Sequence, residues 1–184
     1  MTALRSFPPS AAPGVRVLIL GSMPGEESQR RQQYYAHPRN AFWGIMGELF
    51  GFSPGLPYPE RLAHLKKCRV ALWDTLASCE RKGSLDSDIR VPEPNDIAGL
   101  LAEYVSITHI FCNGTAAFQF LKRYHAPLFR GKQTILRLPS TSPAAARFSY
   151  EEKLEMWRIV LDTARADGAP GIFPVRNPSG PAPV

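Results

Sequence analysis

Cysteine is scarce in this sequence of 184 residues, and long hydrophobic runs are absent. Cys68, Cys79 and Cys112 are too few for a four-cysteine zinc or iron–sulfur site, and each lies in or beside an apolar segment. We therefore expect reduced thiols in the core. No apolar run approaches the roughly 20 residues of a membrane span, and the N-terminus lacks a signal-peptide core. The sequence predicts a soluble, cytoplasmic protein that does not contact a membrane.

The glycine-rich fingerprints of nucleotide-binding proteins are absent as well. Residues 21–25, GSMPG, match neither the dinucleotide pattern nor the Gly-Lys-Ser/Thr ending of a P-loop. The net charge of +6 favours an anionic partner such as nucleic acid, although many proteins without such a partner share it. Charge alone therefore does not decide the function.

Proline and glycine are concentrated at the two ends of the chain. Residues 1–14 and 168–184 carry no periodic pattern, so we expect two flexible segments around a single folded domain at residues 15–167. The hydrophobic content of 44% is ordinary for one globular domain of this size.

Between these ends, short apolar runs alternate with helical patterns. The runs are Val15–Leu20, Val70–Trp73, Ile107–Cys112 and Thr134–Leu138. The helical patterns follow Asn40 and Gly114, cover Pro59–Lys67 and Asp96–Tyr104, and begin again at Ser149, which forms a capping box with Glu152. Because the apolar runs are continuous rather than alternating, this order predicts an α/β fold in which helices cover both faces of a parallel sheet, a three-layer sandwich.

A polar group follows each apolar run. These groups are the turn from Gly21 to Gly25, Asp74 with Thr75, Asn113 with Gly114, and the turn from Ser140 to Ser142. Ligands of open parallel sheets bind beyond the carboxyl ends of the strands. We therefore expect four loops to meet in one crevice at that edge of the sheet.

The loop from Gly21 to Trp43 carries most of the candidate chemistry. Asn40 directly precedes an apolar helix, which is typical of an N-cap; alternatively, its amide faces the crevice and holds a water molecule. A neutral amide is a poor base, so it suits a reaction in which positive charge develops before water adds, as in cleavage of an N-glycosidic bond. Both interpretations stay open on the sequence.

Other residues of this loop suit either a nucleotide ligand or a structural role. The glycine turn lets the backbone approach a ligand closely, or is an ordinary turn after a strand. Tyr34 or Tyr35, of which we favour Tyr35, would stack on a base or pack at the rim of the core. Arg39 would reach a phosphate or be solvated. For His37 we expect only a local hydrogen bond.

Two further segments complete the candidates. An ionised Asp74 would accept an N–H in the plane of a base, which fits hypoxanthine or uracil and rejects adenine; a turn role is the alternative. The hydroxyls at residues 140–142 would bind a phosphate or only belong to a stiff turn between two prolines. Arg147 and Phe148 would enter the space left by an extruded nucleotide.

Four segments in this order resemble the uracil-DNA glycosylase superfamily, with the closest similarity to its hypoxanthine-DNA glycosylase branch: GSMPG, YYAHPRNAFW, LWDTLASCERKGSLDSDI and LPSTSPA. The resemblance extends from about Val17 to about Trp157. It implies a four-stranded parallel sheet flanked by helices, no metal and no cofactor. It also implies a monomeric, monofunctional glycosylase of base excision repair that flips a deaminated base, hypoxanthine first, out of double-stranded or also single-stranded DNA.

The resemblance also assigns roles to individual residues. Met23 occupies the position where several branches have a catalytic Asp or Asn, so the catalytic role is expected to pass to Asn40. Leu138 stands where some uracil-specific branches have a histidine, which disfavours strong uracil activity. The residues expected to bind the base are Gly21, Ser22, Met23, Tyr35, which stacks, and Asp74, which contacts the base edge. The residues expected to contact DNA are Arg39, Ser140, Thr141, Ser142 and Arg147.

Three other functions stay open on the sequence. The substrate could be uracil or another deaminated base. The protein could bind DNA lesions without cleaving them, because Met23 removes the familiar catalytic position. Hydrolysis of free nucleosides is the third, which the basic charge and the lack of a carboxylate cluster for ribose disfavour.

Overall fold

The computed structural model describes residues 3–166, which form seven strands and six α-helices. The strands are β1 (Ala3–Arg5), β2 (Val17–Gly21), β3 (Val70–Asp74), β4 (Leu76–Glu80), β5 (Arg90–Pro94), β6 (His109–Asn113) and β7 (Thr134–Leu138). The helices are α1 (Glu26–Arg31), α2 (Phe42–Phe50), α3 (Tyr58–Lys67), α4 (Ile97–Glu103), α5 (Thr115–Tyr124) and α6 (Tyr150–Arg165). Short 3₁₀ turns lie at Asp86–Asp88 and Ala126–Arg130.

Four of the strands form the predicted parallel sheet, in the order β3-β2-β6-β7. Strand β2 pairs with β3 on one side and with β6 on the other, so the strand order changes direction beside β2. The carboxyl ends of these two pairs therefore border the crevice in which such sheets bind ligands. The α/β class and the four-stranded parallel sheet are confirmed.

Helices cover both faces of this sheet, because alternate residues of each strand point to opposite sides. Val17 and Ile19 of β2 pack in a core formed with α2, α3 and α6. Leu18 and Leu20 pack in a second core formed with α4 and α5. The predicted capping box of Ser149 and Glu152 opens α6, and Gly51 ends α2 in a left-handed conformation (φ 73°).

A second sheet, antiparallel and of three strands in the order β1-β4-β5, is not among the sequence predictions. Strand β1 has three residues, β5 is largely open to solvent, and the buried residues of β4, Leu76 and Cys79, do not alternate with polar ones, so these strands lack a hydrophobic period. Strand β5 also contains Pro92 and Pro94, which suit only the edge of a sheet. The segment between β4 and β5 bends back over the turn that follows β2, where Ser84 accepts a hydrogen bond from Glu26 N.

The prediction of a flexible segment at residues 1–14 is wrong for the described part, residues 3–14. Strand β1 pairs with β4, and Ser10 forms a β-bridge with Leu72. Tyr34 Oη donates to the carbonyl of Pro8 at 3.0 Å, and Trp73 Nε1 donates to that of Phe7 at 3.0 Å. Proline lacks an N–H but keeps its carbonyl, so an extended proline-rich segment can be held by side-chain donors. The predicted C-terminal segment, residues 168–184, lies outside the described residues.

None of the helices within residues 3–166 is both long and apolar enough to cross a membrane.

Candidate active site

One pocket lies at the carboxyl edge of the parallel sheet, and residues after all four strands line it. Its volume is about 140 Å³. Sites for drug-sized ligands start near roughly 300 Å³, so this pocket suits a single planar ring system rather than a whole nucleotide. The sequence-predicted residues that line it are Gly21, Ser22, Met23, Tyr35, Asn40, Asp74, Ser140, Thr141 and Ser142. The expected convergence of the four loops is therefore observed.

Asp74 ends β3 at the bottom of this pocket and is 3% exposed. Its Oδ2 accepts a hydrogen bond from the Ser6 hydroxyl at 2.8 Å. Burial raises the pKa of Asp74 to about 7, while the Ser6 hydrogen bond and the Arg81 charge act in the opposite direction. The carboxyl group therefore exchanges its proton near neutral pH, whereas the sequence interpretation took it to be simply ionised.

Tyr35 lies beside Asp74, and its backbone is left-handed (φ 55°). Its ring stacks on Phe42, with 3.9 Å between centroids and 24° between planes, so one face is already covered. The hydroxyl is buried and makes no regular hydrogen bond with any residue in the described range 3–166. Burial raises the pKa of Tyr35 far above its ordinary value, so the hydroxyl stays protonated. The structure thus adds an unsatisfied O–H to the ring that the sequence proposed only for stacking.

Asn40 has one of the two features that the sequence left as alternatives. It is not the N-cap of α2, which is Ala41. Its Oδ1 accepts from Phe42 N at 3.0 Å, a local turn contact just before the helix, and Asn40 also lines the pocket. Because a backbone N–H can only donate, this contact identifies the oxygen of the amide. The Nδ2 group donates to no other residue between positions 3 and 166 and is the free end of the amide.

The glycine turn after β2 offers backbone donors rather than side chains. Met23 is 6% exposed and packs with Leu76, Cys79 and Ile89, so its thioether belongs to a small core under the antiparallel sheet. The Ser22 hydroxyl donates to Asp86 Oδ1 at 2.6 Å. In the described part of the chain, the N–H groups of Ser22, Met23 and Gly25 donate no backbone or side-chain hydrogen bond. These three N–H groups are available to a ligand.

Arg81 supports this turn from behind. Its guanidinium is fully buried, donates to the carbonyl of Pro24 and lies 3.8 Å from Asp86 Oδ1. A buried positive charge at this position fixes the turn and places a favourable potential next to any negative charge in the pocket. The sequence gives no signal for this role, because Arg81 follows a strand that was itself not predicted.

The turn at residues 140–142 is bound to the neighbouring strand. Thr141 is 1% exposed; its N–H donates to Asn113 Oδ1 at 2.9 Å, and its hydroxyl accepts from Asn113 Nδ2 at 2.9 Å. Its carbonyl accepts from Ala41 N at 3.0 Å, which joins the turn to the start of α2. The hydroxyls of Ser140 and Ser142 are half-buried and only accept backbone N–H groups, so their protons remain free to contact a phosphate.

Two of the predicted DNA contacts lie outside this pocket. Arg39 is exposed. Arg147 is also exposed and lies over the ring of Phe148, at 5.2 Å from its centroid, in a groove next to the turn at residues 140–142. Both side chains are therefore at the surface, where they can meet a DNA backbone rather than a base.

Several lining residues were not among the predicted site residues. They are Pro24, Gly25, Glu27, Ser28, Tyr34, His37, Ser84, Asp86, Asn113 and Pro143. Asn113 could have been selected, because it ends an apolar run as Asp74 does. His37 accepts the backbone N–H of Arg39 at its Nδ1, 3.1 Å away, which leaves Nε2 as the proton-bearing nitrogen of the neutral ring.

No group of three or more His, Cys, Asp or Glu within residues 3–166 is arranged to hold a metal ion. The polar groups of the pocket are instead amides, hydroxyls, backbone N–H groups, the His37 imidazole and three carboxyl groups, of which that of Asp74 is the most deeply buried. This combination can bind the edge of a planar base and stabilise charge that changes during a reaction.

The model of the uracil DNA glycosylase superfamily matches residues 8–162. The chain belongs to this superfamily. A protein of Methanosarcina acetivorans named hypoxanthine DNA glycosylase is 38% identical over 159 residues, which cover 85% of this chain and 97% of that protein. A protein of the same name from Methanosarcina barkeri is 30% identical over 154 residues, or 83% of this chain and 94% of the relative.

A solved structure supports the same relationship. The solution NMR structure of a Methanosarcina acetivorans protein, described as a candidate uracil DNA glycosylase, has a TM-score of 0.76 and 36% sequence identity. It covers 89% of this chain, and this chain covers 99% of it. Within the superfamily fold, the pocket described above occupies the carboxyl edge of the parallel sheet. Leu138, which stands where some uracil-specific branches have a histidine, is buried in the core below this edge. This position therefore offers no imidazole to a base in the pocket.

Proposed function

We propose that this member of the uracil DNA glycosylase superfamily is a monofunctional DNA glycosylase that hydrolyses the bond between deoxyribose C1′ and hypoxanthine. The observation that carries the proposal is the composition of one pocket. The residues that line it include Asn40 with a free amide nitrogen, Asp74, and the glycine turn with its free N–H groups. Two relatives named hypoxanthine DNA glycosylase support the choice of base.

In this proposal, each group acts on a different part of the reaction. Asn40 holds a water molecule against C1′ while positive charge grows on the sugar, since an amide can orient water but cannot deprotonate it strongly. The N–H groups of Ser22, Met23 and Gly25 stabilise the negative charge that moves onto the departing base. Asp74, in its ionised form, accepts the N1–H of hypoxanthine; adenine has a lone pair at that position and is rejected.

Extrusion of the nucleotide contributes to selectivity before any contact in the pocket. Taking a base out of the duplex costs a few kcal/mol, and less where the base is mispaired, as inosine is opposite thymine. Arg39, Arg147, Ser140 and Ser142 would bind the backbone on either side of the extruded nucleotide. We further propose double-stranded DNA as the preferred form, a monomeric enzyme, and the cytoplasm as its location; the three free cysteines suit a reducing compartment.

The test is a cleavage panel on duplexes that carry a single inosine, uracil or xanthine, followed by alkaline scission at abasic sites. We expect the fastest product formation from inosine. Asn40→Ser is the matched variant, because the serine hydroxyl can accept the same local hydrogen bond from Phe42 N while the amide is removed. It should keep its affinity for inosine DNA and its thermal stability but lose excision by orders of magnitude. Tight binding by the wild type without any abasic product would instead identify a lesion-binding protein.

A further inference from the structure

The buried hydroxyl of Tyr35 belongs to a residue that lines the pocket, and neither the fold nor the proposed chemistry uses this hydroxyl. Its oxygen makes no regular hydrogen bond within the described chain. Burial raises the pKa of Tyr35, and the nearby Asn113 side chain lowers it in part. Both polar atoms of the Asn113 amide are bonded to Thr141, so the hydroxyl proton of Tyr35 has no regular acceptor. Buried polar groups nearly always have a partner, so an orphan at an empty site indicates a group that a ligand supplies.

The position of the Tyr35 hydroxyl relative to Asp74 indicates which chemical group of a ligand would accept its hydrogen bond. Both oxygens lie around the same point beside Gly21: an added Cβ there would be 2.4 Å from Asp74 Oδ1 and 3.4 Å from Tyr35 Oη. Ser6 occupies the other carboxylate oxygen, Oδ2. An acceptor, Oδ1, and a donor, the Tyr35 O–H, are therefore adjacent in one pocket.

From this arrangement we propose that Tyr35 donates a hydrogen bond to the carbonyl oxygen of the base while Asp74 accepts the neighbouring ring N–H, so that the pair recognises a lactam edge. The inference rests on the proposed function and deepens it, because it replaces stacking by hydrogen bonding as the role of Tyr35. Phe42 already covers one face of the ring and holds the hydroxyl at this edge of the pocket.

A lactam edge is the feature that deamination creates. Adenine presents a ring lone pair beside an amino group, and its deamination product hypoxanthine presents an N–H beside a carbonyl. The donor Tyr35 and the acceptor Asp74 match the carbonyl and the N–H of hypoxanthine. In adenine both positions are reversed, so neither hydrogen bond can form. Uracil and xanthine carry the same edge. Guanine carries it too, so its exclusion depends on its 2-amino group or on its stable pairing in the duplex.

The experiment is a cycle of atom deletions on both sides of the contact. Tyr35→Phe removes the hydroxyl and keeps the ring; replacing hypoxanthine by purine, as in nebularine, removes the carbonyl and the ring N–H. The dissociation constants are measured by fluorescence anisotropy on duplexes with 2′-fluorinated nucleosides, whose glycosidic bonds resist hydrolysis. Tyr104→Phe is the control, because Tyr104 is outside the pocket.

We expect Tyr35→Phe to weaken binding of the inosine duplex by about 10- to 100-fold and to leave nebularine binding unchanged. The variant loses an oxygen that has no regular partner, so its melting temperature should not fall. An equal loss on both duplexes, or no loss on either, would overturn the role of Tyr35. If the wild-type protein itself binds inosine and nebularine duplexes equally and does not excise hypoxanthine from the unmodified inosine duplex, the proposed function fails instead, and the two failures are distinguishable.

Discussion

Gly21 lies directly opposite Asp74 in the parallel pairing of β2 and β3, and the absence of a side chain at Gly21 leaves the space that the Asp74 carboxyl group occupies. The two residues are separated by 53 positions in the sequence, yet the bottom of the pocket depends on both. A turn glycine is usually explained by its backbone freedom. Here φ is not positive, and the requirement is the close approach of a carboxylate.

The first prediction concerns this pair. In Gly21→Ala the new methyl group would meet Asp74 Oδ1 at 2.4 Å, so either the carboxyl group or the strand must move. We expect a loss of about 1–3 kcal/mol in the free energy of unfolding and a much larger relative loss of inosine excision. Gly55→Ala is the matched control, since an added Cβ at Gly55 meets only Ser53 Oγ at an ordinary 3.5 Å. Normal excision by Gly21→Ala would show that Asp74 is not held at this position.

The second prediction follows from the buried carboxyl group. The pKa of Asp74 is about 7 in the folded protein against an ordinary 3.8, so the folded state binds more protons between these values. Asp74 therefore stabilises the fold below about pH 4, and this contribution is lost as the pH rises to about 7, by up to roughly 4 kcal/mol. Asp74→Asn should flatten that decline in urea titrations from pH 4.5 to 8. An unchanged slope would contradict the shifted pKa.

The third prediction concerns the effect of Ser6 on the pKa of Asp74. Its hydroxyl donates to the carboxylate and so stabilises the ionised form, together with the Arg81 charge and against the Asp86 charge. In Ser6→Ala the pKa of Asp74 should rise by roughly one unit, and the pH at which excision reaches half its maximum should rise equally. Carbon NMR of the Asp74 carboxyl group measures the first value independently of activity.

Two variants provide the comparison for Ser6. Ser6→Thr keeps the hydroxyl and should restore the wild-type titration. Ser10→Ala removes a hydroxyl from the same segment, where the β-bridge to Leu72 uses only backbone groups, and should titrate like the wild type. Identical curves for Ser6→Ala and the wild type would show that the hydrogen bond has no influence on Asp74.

The fourth prediction concerns the DNA backbone. If Arg147 contacts one phosphate, Arg147→Ala should weaken binding of lesion and normal duplexes alike and reduce the slope of log K against log salt by about 0.9. Arg158→Ala is the control, because that exposed arginine is paired with Glu155 at 3.1 Å. A loss confined to lesion duplexes would instead place Arg147 next to the extruded nucleotide.

The sequence predicts those parts of the fold whose apolar residues form a continuous run, as in the parallel strands, or recur at helical spacing. Thr134–Leu138 is found at its predicted bounds, and the other three parallel strands are shifted by at most two residues at either end. Ser22, Asp74 and Ser140 come together because parallel strands end at the same edge, which is a property of topology and needs no coordinates. The convergence of the pocket was predictable for the same reason.

The parts that escape prediction depend on contacts between distant segments. Strand β1 has only three residues, β5 is exposed and contains two prolines, and the buried residues of β4, Leu76 and Cys79, do not alternate with polar ones. The contact of Ser6 with Asp74 joins residues 68 positions apart, and nothing in the sequence around Ser6 indicates it. The sequence likewise cannot indicate that the Tyr35 hydroxyl lacks a hydrogen-bond partner, because this depends on which groups of the folded chain surround it.

The docked N-terminal segment also has a consequence for how the protein is handled and made. Ser6 is synthesised well before Asp74, and the contact between them closes a loop of 68 residues, which is entropically slow to form. A deletion that removes Ser6 would therefore also remove the hydroxyl donor of the Asp74 carboxylate at the other end of this loop.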